Sequence, residues 1–200
     1  MSFSILIDLK QDIGRKRIFF SGDVGSGLDN IIKGKPETPP DVDYVFIEST
    51  YGGKKRKMTK DPFREFYQDL NDALMDDRVV WIPSFVLDRT QKVLNTIRIG
   101  QQEDRLPKSI NIKVVSSTAK KVNTVYDQYF DYRPNSVDES LSMSPSKLQD
   151  ALNGPMILFT PSYIDGIEFF HPVVKEIITN KKSDIMMVGY QDPRSFGGIL

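Results

Sequence analysis

The stretch Arg17–Gly53, which begins with RIFFSGDVGSG and ends with DYVFIESTYGG, decides the fold class of this chain. Its apolar runs predict short buried strands at Arg17–Ser21 and Tyr44–Ile47, because each run is bounded by glycine and polar residues. A carboxylate follows each run, Asp23 after the first and Glu48 after the second. Ligands of α/β sheets collect just beyond the carboxyl ends of the strands. We therefore expect both acids to lie where side chains meet metals or substrates.

The composition is that of an ordinary globular chain, with 200 residues of which 39% are hydrophobic and 27% are charged. Because 27 basic residues balance 27 acidic ones, any surface that binds nucleic acid must be local. The absence of Cys excludes disulfides and thiolate metal sites. No apolar run approaches the ~18–20 residues of a membrane span, and no signal-peptide pattern is present. A cytoplasmic protein with no membrane partner is expected.

Hydrophobic periodicity predicts the remaining elements. Ser4–Leu9 and Arg17–Ser21 should form a hairpin around a polar, glycine-containing turn. From Asp61 onward, strands alternate with helices, and the segment Phe130–Ser146 between them has the composition of a loop. This alternation predicts an α/β fold with a largely parallel sheet covered by helices. The predicted strands are Val79–Pro83, Ile110–Val115, Met156–Thr160 and Ile185–Val188, and the predicted helices follow Asp61 and cover Arg89–Ile99, Ala119–Tyr129, Ser146–Leu152 and Phe169–Ile178.

Two motifs of the opening stretch resemble the metallo-β-lactamase-fold nucleases that carry the β-CASP insertion. Ser21–Gly25 is similar to the motif whose Asp bridges two zinc ions, and Glu48–Gly52 is similar to the first motif of the β-CASP segment. Members that process RNA, such as ribonuclease J and the cleavage-and-polyadenylation endonucleases, tend to have Glu at the second position. The DNA-repair branch tends to have Asp there. Glu48 therefore favours the RNA branch.

Three later segments extend the resemblance along the chain, and each departs from the family pattern at one place. Val80–Phe85 followed by Arg89–Gln91 resembles the strand, turn and helix that read apolar-Pro-Ala-Phe and Gly-Arg-Thr-Gln, with Asp88 in the position of the glycine. Met156–Gly166 has Pro-Ser-Tyr-Ile where the family has Gly-Met. The third segment resembles the Gly-Tyr-Gln turn and the Gly-Thr-x-Gly-Arg pattern after it, with Gly198 in the position of the final Arg.

The resemblance implies a domain organisation and a set of site residues. Residues 1–52 would be part of a metallo-β-lactamase αββα half, residues 53–189 a β-CASP domain, and residues 190–200 the start of the return to the first domain. The implied site residues are Asp23 and Glu48 as catalytic groups, Asp23 as the metal ligand, and Ser49, Lys54, Arg89 and Gln191 as contacts to the substrate.

Each of these signals also has a purely structural explanation. Asp23 can serve as an ordinary turn residue that bonds its own backbone. Glu48 can be held by local backbone amides or by Lys54, and Arg89 can be a solvated side chain at a helix start. The basic run Lys54–Lys60 is as well explained by a solvated loop as by a nucleic-acid channel. The order and spacing of the motifs favour the family interpretation.

The metal ligands are the main gap in the resemblance. A dinuclear zinc site needs several imidazoles, whereas this sequence has one His, His171, which matches no ligand position and is interpreted as structural. We expect a piece of a larger zinc-dependent ribonuclease rather than a natural short paralogue, with no zinc bound and no activity in this chain alone. RNA is the expected partner, together with the remainder of the polypeptide or a second copy. The alternative is a catalytically dead β-CASP scaffold subunit of an RNA-processing complex.

Overall fold

A computed structural model describes residues 3–11, 14–24, 31–32, 41–53, 55, 60–139, 152, 154–161, 171–190, 192–194 and 198. The chain divides into two compact units, Met1–Lys60 and Asp61–Leu200. The family-domain boundaries that the resemblance implies at residues 52 and 189 stay predictions. In the part of the chain that the structure describes, no helix combines the length and the apolar character needed to span a membrane.

The first unit contains a three-stranded sheet, here called the small sheet, in the order β1-β2-β3. Strands β1 (Ile5–Gln11) and β2 (Gly14–Phe20) form an antiparallel hairpin, which confirms the predicted pairing. Strand β3 (Tyr44–Phe46) lies parallel to β2. The Asp43 carboxylate fixes the start of β3, because it accepts hydrogen bonds from Lys16 Nζ and from the Arg17 amide, both at 2.8 Å.

The prediction that these strands are buried is wrong for the small sheet. The residues of β3 and the one that follows it are 55–69% exposed, and β1 is exposed along its length. An apolar run predicts burial only where a second layer covers it, since a sheet needs a packed face to bury its side chains. Among the described residues of this unit no helix supplies such a layer. Both faces of the small sheet therefore present apolar side chains.

The second unit is built on a five-stranded sheet, here called the parallel sheet, in the order β6-β5-β7-β4-β8. All four strand pairs are parallel, and helices connect them, which confirms the predicted α/β class. The strands are β4 (Val79–Ser84), β5 (Asn111–Val114), β6 (Val137–Asp138), β7 (Met156–Pro161) and β8 (Ser183–Ile185), and the helices are α1 (Arg64–Met75), α2 (Arg89–Gln102), α3 (Ser117–Tyr126) and α4 (His171–Thr179).

Strands β4 and β7 form the centre of the core. They are neighbours in the middle of the parallel sheet, so both of their faces are covered and their apolar runs are continuous. Trp81 is 1% exposed, and its indole Nε1 donates to Thr160 Oγ1 at 2.9 Å across the two strands. Leu70 of α1 and Leu94 of α2 are fully buried. The core therefore fixes the carboxyl ends of β4 and β7 rigidly.

The two edge strands differ from the sequence-based expectation. β8 ends at Ile185 and is half-buried, whereas a buried strand was expected over Ile185–Val188. β6 consists of two residues that pair with β5, inside the segment expected to be a loop. An edge strand packs on one side only, so its sequence carries a weaker apolar signal. The helix expected at Ser146–Leu152 lies outside the described residues, apart from Leu152 itself.

Candidate functional site

Asp23 and Glu48 leave the small sheet at the same edge. β2 and β3 are parallel with Phe20 opposite Phe46, so the segments that follow them emerge side by side. The Ser21 amide donates to the Phe46 carbonyl at 2.9 Å, and the Glu48 amide donates to Ser21 Oγ at 3.1 Å. The two motifs of the opening stretch are thus joined by hydrogen bonds in one local site.

The Glu48 carboxylate holds the turn that carries Asp23. Its Oε2 accepts from the Thr50 amide at 2.8 Å, and its Oε1 accepts from the Val24 amide at 3.3 Å. The Thr50 amide and hydroxyl, followed by the Val24 amide, lower the pKa of Glu48 against the opposing effect of desolvation. The group is therefore an ionised acceptor bonded to its own local backbone. These contacts make Glu48 a residue that positions the neighbour of Asp23, and its predicted catalytic role stays a prediction.

The donor set around Asp23 does not fit a dinuclear metal centre without further ligands. Asp23 itself is exposed at the strand end, where a bridging carboxylate would be required. Within the described ranges, no group of three or more His, Cys, Asp or Glu side chains is placed to hold a metal ion. The sequence contains one His and no Cys, so nitrogen and thiolate donors are almost absent from the chain. A zinc site of the family type therefore needs ligands that these residues do not provide.

The turn between β4 and α2 is held by hydrogen bonds from the residues on either side of it. The Thr90 amide and hydroxyl donate to the Phe85 carbonyl at 3.1 and 2.8 Å, and the Thr90 and Ser84 hydroxyls are 2.8 Å apart. The side-chain amide of Gln91 donates to the Val86 carbonyl at 3.1 Å. Arg89 is the first residue of α2 and is exposed. Thr90 and Gln91 thus anchor the turn, while Arg89 extends from it into solvent.

Asp88 occupies a strained position in this turn. Its φ of 71° and ψ of −52°, together with a 2.9 Å hydrogen bond from the Arg89 amide to the Leu87 carbonyl, define a γ-turn of the rare kind. A side chain is disfavoured at this φ, whereas glycine is not. This geometry gives a physical reason for the glycine in the family pattern. The Asp88 carboxylate pairs with Lys92 at 2.7 Å, one turn along the helix.

A buried polar network that the sequence did not predict extends from this turn. Gln91 and Asn123 are both fully buried, and Gln91 Nε2 donates to Asn123 Oδ1 at 2.7 Å. The Asn123 amide in turn donates to Glu139, whose other carboxylate oxygen pairs with Arg133 at 2.9 Å. Gln91 and Asn123 lie 32 residues apart and meet only because α2 packs on α3. The only signal in the sequence was Gln91 itself, in the Arg-Thr-Gln motif.

The carboxyl ends of β4 and β7 meet at a topological switch point. The connection from β4 through α2 runs to β5 on the far side of β7, whereas the connection from β7 runs to β8 on the far side of β4. Right-handed crossovers in opposite directions place their helices on opposite faces of the sheet. Ligands of such sheets bind at the carboxyl ends of the strands where the direction reverses. Arg89 lies at this edge because α2 begins there.

The remaining predicted contacts are distributed over the two units. Ser49 is exposed, and its carbonyl accepts from the Gly52 amide at 2.8 Å. Gly189 follows β8, and a Cβ atom at this position would come within 3.9 Å of the Phe85 ring. The turn after β8 therefore reaches the same edge as the turn after β4. Lys54 and Gln191 lie outside the described residues.

The fold and the motifs define a β-CASP protein. The Beta-Casp domain family matches residues 90–200, which is more than half of the chain. The chain belongs to the β-CASP family. This match confirms the resemblance that the motifs indicated.

Several relatives are named as ribonucleases. Ribonuclease TTHA0252 of Thermus thermophilus is 26% identical to this chain over 200 residues, which cover 91% of this chain and 45% of that protein. Endoribonuclease YSH1 of Kluyveromyces lactis is 22% identical over 80% of this chain and 20% of its own length. Cleavage and polyadenylation specificity factor 73 of Drosophila melanogaster is 25% identical over 81% of this chain and 22% of its own. The chain spans less than half the length of each of these relatives.

Proposed function

We propose that this chain is the RNA-holding part of a β-CASP ribonuclease, and that the complete protein hydrolyses RNA phosphodiester bonds. Membership of the β-CASP family supports this proposal, together with the ribonuclease names of the relatives. The single observation that carries it is the exposed Arg89 at the start of α2, on the carboxyl edge of the parallel sheet. A guanidinium and the first amides of a helix together suit an RNA phosphate.

In this proposal the two units have different tasks. The first unit contributes Asp23, held at the strand end by the turn that Glu48 stabilises. The second unit contributes Arg89, and the basic run Lys54–Lys60 adds phosphate contacts. The family resemblance also implies two zinc ions in a complete member. Because the donors of this chain do not make that site, we propose that the chain alone binds RNA without cleaving it.

The test is a titration of single-stranded RNA at two salt concentrations with the wild-type chain and Arg89→Ala. Four to six phosphate contacts predict that log K falls with log salt at a slope of about −3 to −4. Arg89→Ala is expected to weaken binding several-fold and to make the slope less negative by about 0.7, the share of one contact to a single strand. Arg64→Ala is a matched control, because Arg64 is an exposed arginine at the start of α1. It should bind RNA like the wild type.

A scaffold subunit without activity is the second candidate function. The strained Asp88 in place of the family glycine favours it, since a negative charge beside Arg89 opposes phosphate binding. RNA binding that is absent, or that responds neither to salt nor to Arg89→Ala, would contradict the proposed function and favour the scaffold. Metal-dependent cleavage of RNA by this chain alone would contradict the division of tasks between the units.

A further inference from the structure

Two neighbouring cavities lie at the amino edge of the parallel sheet, the edge opposite Arg89. The first has a volume of about 590 Å³ and is lined by the segment between α3 and β6, from Asp127 to Val137. The second, of about 400 Å³, lies between this segment and the end of α2, with Arg98 and Lys108 in its wall. Asp131, Arg133, Pro134 and Asn135 line both. The cavities are therefore adjacent, and each is large enough for part of a small ligand.

The first cavity has an aromatic wall with one exposed ring. Tyr129 is 72% exposed, and its ring centroid lies 6.3 Å from that of Phe130. Phe130 is fixed in turn by the buried Tyr126, with ring centroids 5.6 Å apart. An exposed ring that is backed by a fixed aromatic group offers a flat face on which another ring can stack. Bases of single-stranded nucleic acids bind proteins in this way.

The same cavity contains a hydrogen-bond donor that lacks an acceptor. Tyr132 is 1% exposed, and within the described part of the chain its hydroxyl has no hydrogen-bond partner. Burial and the nearby Asp127 carboxylate raise the pKa of Tyr132, so the hydroxyl keeps its proton. A buried hydroxyl without a partner is costly. A ligand with an acceptor atom would satisfy it.

The second cavity is the basic side of the pair. Arg98, Lys108 and Arg133 line the two cavities together with Asp127 and Asp131. Each carboxylate already has a guanidinium partner, Asp127 with Arg133 at 2.5 Å and Asp131 with Arg98 at 3.1 Å. A cationic ligand would therefore have to displace an arginine. An anion meets a surplus of positive charge, because Lys108 is 63% exposed and exposed ion pairs are weak.

We propose that these cavities hold one nucleotide of a single-stranded RNA, with the base on Tyr129 and the phosphate near Arg98 and Lys108. The base presents acceptor atoms to the Tyr132 hydroxyl and to the Asn135 amide. This site is separate from Arg89 and from the first unit, so it goes beyond the proposed function and does not depend on cleavage. It would give the second unit a contact to RNA at each edge of the parallel sheet.

The test is a calorimetric titration of the full chain with adenosine 5′-monophosphate, and with adenosine as a probe that lacks the phosphate. Saturable binding of the monophosphate is expected, and adenosine should bind several-fold more weakly. Tyr129→Ala should reduce the affinity for the monophosphate at least about five-fold, the low end of what a stacked base contributes. Arg98→Gln should reduce the affinity for the monophosphate and leave that for adenosine unchanged. Tyr190→Ala is the matched control, since Tyr190 is 75% exposed elsewhere in the second unit.

Further outcomes separate this site from the proposed function. Arg89→Ala should leave binding of the monophosphate unchanged. Loss of binding in Arg89→Ala but not in Tyr129→Ala would overturn the cavity site and still support a phosphate contact at the carboxyl edge. The absence of saturable binding by the wild type would overturn the cavity site. So would saturable binding of arginine amide, because it would assign the cavity to a cationic partner such as a basic peptide.

Discussion

Replacing Asp88 with glycine is expected to stabilise the second unit, although the change removes an ion pair. Asp88 is the central residue of a γ-turn at φ 71°, and a residue with a side chain held in such a region stores about 1–3 kcal/mol of strain. Two losses oppose the gain. Glycine has more conformational freedom to lose on folding, about 0.5–1 kcal/mol. The pair with Lys92, which is one helical turn away, contributes about 0.3–0.5 kcal/mol.

The balance of these effects for Asp88→Gly is an increase in the free energy of unfolding of about 0.5–1.5 kcal/mol. For a chain of this length, that increase raises the midpoint of thermal unfolding by about 1–6 °C. Trp81 is the single tryptophan of the sequence and is 1% exposed in the second unit, so its fluorescence reports the unfolding of that unit in urea. The measurement therefore follows the unit that contains the substitution.

Asp88→Ala is the control that separates strain from charge. Alanine keeps the disfavoured Cβ and loses the ion pair with Lys92, so it should be no more stable than the wild type. If Asp88→Ala gained as much stability as Asp88→Gly, the charge rather than the backbone would be the cause. A glycine variant clearly less stable than the wild type would refute the argument. Asp88→Gly should also strengthen RNA binding if Arg89 holds a phosphate, since it removes the neighbouring negative charge.

Two further substitutions test the packing around α2, again by urea unfolding followed through Trp81. Gln91→Ala should destabilise the second unit by about 2–5 kcal/mol, because it leaves two buried acceptors unpaired, whereas the exposed Gln102→Ala in the same helix should change stability by less than about 0.5 kcal/mol. Gly100→Ala should cost about 1–3 kcal/mol, because the added methyl group would overlap the buried Tyr67 ring, whose hydroxyl donates to the Thr96 carbonyl at 2.8 Å. A neutral result for either substitution would show that the helix can shift to relieve the change.

The parts of the fold that the sequence predicted well are those with a strong local pattern. β4 and β7 are central strands covered on both faces, so their apolar runs are continuous and visible. The edge strands β6 and β8 pack on one side and gave the errors described above. The exposure of β3 could not be predicted at all, because an apolar strand looks the same whether or not another layer covers it. Periodicity therefore identified elements, and it could not identify what lies against them.

The candidate site was predictable to the extent that a motif carries its own contacts. The Glu48 carboxylate bonds the Thr50 amide two residues away, which is the local arrangement that the structural explanation of the motif required. The Gln91–Asn123 bond depends on the packing of two helices, so no motif could encode it. Asp88 lies between these cases. Its departure from the family pattern marked it as unusual, and the γ-turn supplied the reason.

The Arg-Thr-Gln motif shows why sequence alone did not separate an enzyme from a scaffold. Successive residues of a helix point about 100° apart, so three neighbours in the first turn cannot share one environment. Thr90 and Gln91 are buried and hold the turn, whereas Arg89 is exposed. Two thirds of the motif would therefore be retained in any protein that keeps this fold, active or not. Only Arg89 carries information about a ligand, and RNA binding by the Arg89 variant is therefore the measurement that distinguishes the two functions.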